Sequence, residues 1–218
     1  MEEENGSNLI LKTFFWMFLG LLGSAIVAWY TYSSGLFIDI IVKGYFNILL
    51  IAELVVVILF SWLFKKLPPT IVAILYFVYA MINGVSLAVI FVLFELSSIV
   101  FLFGASALLF GGMAFYGYKT KKDLGNWKTL LFGILIVGII LSVVNLFLGN
   151  SMLDIILDWV ILFVFFGITA YDMNKIKQLQ YEEGLDQSKL HIYGAMELYL
   201  DFINIFLRIL SIFGKRRN

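Results

Sequence analysis

The chain has 218 residues, 62% of them hydrophobic and 14% charged, with a formal net charge of zero and no cysteine. A soluble domain is nearer half apolar and a quarter charged, so this composition, with its long uncharged runs, points to an integral membrane protein. Neutrality makes nucleic acid an unsuitable partner, and the absence of cysteine excludes disulfides, thiol catalysis and thiolate metal sites.

The first ten residues, MEEENGSNLI, are acidic and lack the positive n-region of a secretory signal, so the first hydrophobic run is expected to be a retained span. Span one is expected at about 9–30, followed by a short polar link at 31–35. Span two, at about 41–64, carries Glu53 near its middle and ends at Lys65-Lys66-Leu67-Pro68-Pro69. These are the only 2 prolines of the chain, and they stop one helix and start the next. Span three is expected at about 71–94, with Tyr79, Asn83 and Ser86 on one face. Span four, at about 99–118, is rich in small residues (Gly104, Ala105, Ser106, Ala107, Gly111, Gly112) of the kind that let helix backbones approach closely. The most basic loop, KTKKDLGNWK, follows. Span five, at about 129–148, holds Ser142 and Asn145. Span six, at about 152–172, ends at Asp172, and a polar loop of mixed charge separates it from span seven at about 191–213. The spans and their short loops use nearly the whole chain, so 1–218 reads as one all-α transmembrane domain. The two sets of three spans share only a coarse pattern, a weak sign of duplication.

Lysines orient these spans. Loop two–three has Lys65 and Lys66, loop four–five has Lys119, Lys121, Lys122 and Lys128, and loop six–seven has Lys175, Lys177 and Lys189. Loop one–two has only Lys43, and loops three–four and five–six have none. The positive-inside rule therefore makes the even-numbered loops and the N-terminus cytoplasmic. Seven full spans then leave Lys215, Arg216 and Arg217 outside, against the rule. Span seven either crosses and tolerates that tail or re-enters; its length suits a hydrocarbon core about 30 Å thick.

Ionisable residues inside a membrane are expensive and point to function. Span seven carries Glu197, Asp201, Asn204 and Arg208, which fall within an arc of roughly 60° on a helix. A helix polar on one narrow stripe is expected to be buried among others. Asp201 lies about two to three turns below the cytoplasmic surface, and Asp172 ends the neighbouring span from the same side. Two carboxylates in one site do not both ionise easily, so the pair reads as a proton-sensitive latch and a cation site. Asp154 and Asp158 share the face of Asp172, nearer the outer end of span six. Plainer readings stand beside this one. Asp172 could be an interfacial helix-end residue, Asp201 and Arg208 an ion pair through an intervening group, and Glu53 a partner for one neighbouring helix. Asn83, Asn145 and Asn204 read as helix–helix hydrogen bonds, and the lone His191 as solvated.

Four segments carry a family resemblance. LYLDFINIFLRIL (198–210) resembles the last-helix signature of the Bax inhibitor-one family, the transmembrane Bax inhibitor motif proteins. FVYAMINGVSL (77–87), GYKTKKDL (117–124) and AYDMNKIK (170–177) agree in order and place. The resemblance covers essentially the whole chain, and the short N-terminus and loops resemble a bacterial member. It implies seven helices, with the last one central between two three-helix layers, in a bacterial cytoplasmic membrane. It also implies a pH-sensitive calcium leak with two aspartates as sensor, falling here on Asp172 and Asp201, and an acidic residue in span two, falling on Glu53. In bacterial relatives a basic residue at the end of span two latches onto the aspartates. The matching stretch here reads Leu63-Phe64-Lys65-Lys66, which leaves Lys65 as the candidate latch. Glu197 adds a carboxylate one turn from Asp201 where relatives often have a small residue, an addition that would strengthen cation binding or favour a shared proton.

Calcium and protons are thus the expected ligands, with Asp172 and Asp201 as the metal-binding pair, no cofactor, and Glu53, Glu197, Asn204 and Arg208 as a supporting polar core. The alternative is a membrane-embedded regulator that binds other membrane proteins. Enzymatic activity is not expected. Tyr171-Asp172 matches one half of an intramembrane aspartyl protease, but the other half should read Gly-x-Gly-Asp and this chain has Leu198-Tyr199-Leu200-Asp201. A zinc hydrolase is disfavoured by a single histidine.

Overall fold

The structure is a computed structural model, and it describes residues 2–179, 181 and 186–217. Part of the polar loop expected between spans six and seven, and the two end residues of the 1–218 domain, lie outside the described residues. Among the described residues the chain is helical, apart from turns and an isolated antiparallel bridge between Phe94 and Arg216. The helices group into two compact units, the first made of Met1–Glu95, Leu179–Tyr199 and Arg216–Asn218, the second of Leu96–Gln178 and Leu200–Lys215.

The first unit contains α1 (Glu2–Ser33), α2 (Leu36–Val42), α3 (Phe46–Leu63), α4 (Pro69–Leu87) and α5 (Val89–Leu93). Gly35 and Gly44, at φ 76° and 71°, make the left-handed turns on either side of α2. That short helix fills the stretch between the expected polar link at 31–35 and span two and takes the first residues of that span, so α3 begins five residues later than expected. Pro68 is extended and Pro69 opens α4, as the proline pair predicts. Small residues bring α1 against α4. A Cβ on Gly84 would lie 2.7 Å from the Ser24 carbonyl oxygen, and one on Gly20 would lie 2.0 Å from the Tyr76 hydroxyl. Ala28 and Ala80 are buried on the same two helices.

The second unit contains α6 (Leu96–Lys119), α7 (Gly125–Leu148), α8 (Ser151–Leu179, to Gln178 in this unit) and the longer part of α9 (Leu190–Phe213). Close approach occurs here too, but not where the sequence places it. Gly104, Gly111 and Gly112 face open space, whereas a Cβ on Gly117 would lie 2.2 Å from the Ala170 carbonyl oxygen. Helix α6 therefore presents most of its glycines outward and spends one, near its end, on contact with α8. Phe103 and Phe110 pack edge-on to Phe202 of α9, with centroids 5.0 and 5.6 Å apart.

Among the described residues six segments are long and apolar enough to cross a membrane: Asn8–Ser33, Phe46–Leu63, Pro69–Leu93, Leu96–Lys119, Gly125–Leu148 and Ser151–Leu179. Helix α9 is not among them, because Glu197, Asp201 and Arg208 interrupt its apolar run. Residues 186–189 before it and 216–217 after it belong to the first unit. At the start, Asp186 accepts hydrogen bonds from the Ser188 N–H and hydroxyl at 3.0 and 2.6 Å, which hold its carboxyl below the usual value. Lys189 follows, and its ammonium donates to the Lys65 and Leu67 carbonyls at 3.2 and 2.7 Å. Beyond the other end, the Arg217 N–H donates to the Leu93 carbonyl at 2.9 Å.

Candidate functional site

The two aspartates sit on different helices of the same unit. Asp172 lies on α8 and Asp201 on α9, and they are 6% and 2% exposed. The sequence reading ends span six at Asp172, but α8 continues to Leu179, about two further turns. Asp172 is therefore a buried mid-helix carboxylate, which removes the helix-end reading. On the same helix as Asp201, Phe202, Ile205, Phe206 and Ile209 are also below a tenth exposed.

Arg208 pairs elsewhere than expected. Its Nη1 donates to Asp158 Oδ1 of α8 at 2.6 Å, and Ser211 Oγ donates to Asp158 Oδ2 at 2.5 Å. The reading of Arg208 as a partner for Asp201 through an intervening group is thus corrected: the guanidinium is held by Asp158, four turns from Asp172 on the same face of α8. Asn204 donates to its own Leu200 carbonyl at 2.8 Å, so it satisfies its helix rather than bridging to another. Asn145 does bridge, donating to Asp154 Oδ1 at 2.6 Å and to the Asn150 carbonyl at 2.9 Å.

Glu53, Glu197 and Lys65 belong to the first unit. The Asn83 amide donates to Glu53 Oε2 at 3.3 Å. Tyr199 donates to Asn83 Oδ1 at 2.9 Å and shares a 2.6 Å hydrogen bond with Ser24 Oγ. Ser24 in turn lies 2.8 Å from the Ala80 carbonyl and 2.9 Å from that of Gly20. A continuous polar chain therefore links α3, α4, α9 and α1. Among the described residues Glu53 Oε1 is buried and meets no donor in hydrogen-bond geometry. Tyr199 and Ser24 are not among the residues the sequence reading singles out. Tyr199 stands about 200° from Glu197 around α9, opposite the acidic stripe; a hydroxyl on an otherwise apolar face is the signal that was there to find. Glu197 accepts from the Tyr193 hydroxyl one turn earlier.

Lys65 is exposed, and its backbone carbonyl, not its ammonium, makes the contact described above. The buried cation at this end of α3 is Lys189, 4% exposed, with its ammonium 5.3 Å from the Phe64 ring centroid. The sequence reading counts Lys189 only as an orientation signal. His191, read as solvated, is half-buried, with its ring 5.6 Å from that of Trp16. Among the described residues no three or more His, Cys, Asp or Glu side chains gather as a metal cluster.

A family model described as "Inhibitor of apoptosis-promoting Bax1" matches residues 6–218. The chain belongs to the Bax inhibitor family. Inner membrane protein YbhL of Escherichia coli strain K12 is 38% identical over 208 residues, covering 93% of this chain and 89% of the relative. RP147 of Rickettsia prowazekii, itself uncharacterized, is 34% identical over 219 residues, covering 99% and 93%. An uncharacterized protein of Borreliella burgdorferi is 34% identical over 218 residues, covering 97% and 94%. With six membrane-length apolar helices among its described residues and an inner membrane relative, this Bax inhibitor family chain is a multi-pass membrane protein of bacterial type. Its last-helix motif (198–210) is largely core: Leu198, Tyr199, Phe202, Ile205, Phe206, Ile209 and Leu210 are all buried.

Proposed function

We propose that this protein is a pH-sensitive calcium leak, channel or transporter, of a bacterial cytoplasmic membrane, gated by Asp172 and Asp201. The observation that carries this reading is the burial of both carboxylates on α8 and α9 within one unit. Carboxylates withdrawn from water exchange protons or hold a cation rather than stay bare, because an isolated charge in a low-dielectric interior is strongly disfavoured. Calcium prefers hard oxygen ligands, which the pair supplies in passing. No enzymatic step and no cofactor enter; the bilayer, calcium and protons are the partners.

The same reading treats α9 as a seventh span. Its length, about 36 Å for 24 residues, suits a bilayer core. Its N-terminal end meets the lysine-bearing turn before α4, and the chain beyond it meets the far end of α5. With loop lysines inside, the N-terminus is cytoplasmic and the tail at 215–217 lies on the opposite side. The last helix then serves as the central post between two three-helix sets.

The test is calcium entry into proteoliposomes between pH 5 and 8, with wild type, Asp172→Asn and Asp201→Asn. Either substitution should alter flux and flatten its pH profile. Unchanged flux and profile in both would sink the reading. An alternative is a regulator of other membrane proteins, favoured by how much of the polar interior is already satisfied within the fold, as in the Arg208–Asp158 pair and the Asn83–Tyr199–Ser24 chain. Wild-type protein that moves no calcium but co-purifies with a membrane-protein partner would favour that alternative.

A further inference from the structure

The basic tail that the positive-inside rule does not explain is not loose. Arg216 pairs with Phe94 as an antiparallel bridge, and the Arg217 N–H donates to the Leu93 carbonyl at 2.9 Å. Chain ends usually fray unless something ties them down. Here the ties fix the Arg217 guanidinium at the rim of a groove in the first unit. The guanidinium donates to the Tyr32 hydroxyl and to the Phe91 carbonyl, the latter at 3.3 Å, and stands 6.0 Å from the Tyr32 ring centroid. All three partners are neutral, and the group faces no carboxylate among the described residues. A guanidinium has five N–H donors in a planar fork, so donors remain for an oxyanion.

The groove below it holds about 440 Å³ and is lined by Phe37, Ile38, Ile41 and Val42 of α2 and by Val92. That volume falls in the range of small-molecule sites, about 300–1,000 Å³. Helix α2 has one charged residue, Asp39, which is exposed and does not line the groove. Its apolar side chains are open to the surroundings, Val42 by 80% and Ile38 by 64%. Helix α2 joins the ends of two membrane-length helices, α1 and α3.

We propose that this groove binds an anionic phospholipid, with an acyl chain along α2 and the phosphate on Arg217. Charge complementarity selects this occupant over a neutral lipid: the cavity is lined by apolar side chains apart from Tyr32 and Arg217, and its one charged lining residue is a cation held by neutral groups. The site gives the basic tail a role on the side where orientation rules give it none. It is independent of the aspartate pair and of calcium movement.

The experiment is native mass spectrometry of the full chain in detergent, offered phosphatidylglycerol or phosphatidylcholine with the same acyl chains. Wild type should retain phosphatidylglycerol about fivefold over phosphatidylcholine, the preference expected for one basic residue at an anionic headgroup. Arg217→Gln should lose that preference. Val42→Trp fills the groove from an exposed position that tolerates bulk, and it should lose both adducts while keeping the wild-type unfolding temperature. Equal retention of the two lipids by wild type overturns the proposal. So does phosphatidylglycerol binding undiminished in Val42→Trp, release of the bound lipid by soluble glycerol phosphate, or a dimer of the chain that Val42→Trp abolishes in place of a lipid adduct.

Discussion

Arg208 of α9 and Asp158 of α8 form an ion pair 2.6 Å long, with Ser211 closing the other carboxylate oxygen. The arginine that looked like a counter-ion for Asp201 is therefore committed to a different carboxylate. The Asp158 side chain is 12% exposed and that of Arg208 34%, so the pair is partly screened. A double-mutant cycle of Asp158→Asn and Arg208→Gln, read by thermal unfolding in detergent, should give a coupling energy of about 0.5–3 kcal/mol. Strictly additive single effects would show that the pair contributes nothing beyond its separate members.

Tyr199 joins Ser24 to Asn83, and Asn83 joins it to Glu53. Removing the hydroxyl with Tyr199→Phe deprives the buried Asn83 oxygen of its donor while leaving ring packing against Tyr76 and Tyr79 in place. The cost should be about 1–3 kcal/mol of stability, the range for a buried polar group left unsatisfied. Adding Asn83→Leu to Tyr199→Phe should cost less than the sum of the two single changes, because the Asn83 oxygen orphaned by the first is then gone, while the loss of the Asn83 donor to Glu53 is common to Asn83→Leu alone and to the double variant. A fully additive double variant would break the case for a connected chain.

The positions of most helices are legible in the sequence because hydrophobic length reports them directly. The proline pair marks the start of α4, and the start of α9 lies within one residue of its expected place. Helix α2 was hidden because its residues are as apolar as the spans beside it, and only Gly35 and Gly44, at positive φ, separate it from them. Burial of Asp172 was equally hidden, since a polar residue near the end of an apolar run reads as an interface. The partners of polar groups were the least legible. Helix periodicity says which residues share a face, but not which neighbouring helix that face meets. Hence Asp158 and Asp172 share a face in sequence, yet only Asp158 takes Arg208.

Glycine spacing was similarly ambiguous, and it leads to a paired prediction. Gly117→Ala would place a methyl 2.2 Å from the Ala170 carbonyl oxygen, where only backbone movement relieves the clash. It should destabilise the protein by about 1–3 kcal/mol. Gly111→Ala, one and a half turns or so earlier on α6 and facing open space, should be neutral or stabilising by up to about 1 kcal/mol through helix propensity. Unfolding midpoints of the two variants in the same detergent decide the matter, and equal midpoints would contradict the packing described.

The absence of cysteine makes membrane sidedness directly measurable, because each introduced thiol is the only one present. Lys66→Cys sits in the turn that Lys189 braces through the Lys65 and Leu67 carbonyls, and Arg216→Cys sits in the tail bridged to Phe94. These are opposite ends of α9. If α9 crosses the bilayer, a membrane-impermeant maleimide added to intact cells should label Arg216→Cys and spare Lys66→Cys. Cell lysis should make Lys66→Cys reactive, since Lys66 is exposed. Labelling of Lys43→Cys, at the C-terminal cap of α2, should follow that of Arg216→Cys, because the tail and α2 line one groove. If Arg216→Cys and Lys66→Cys are protected together in intact cells, α9 does not cross, and the seven-span reading fails with it.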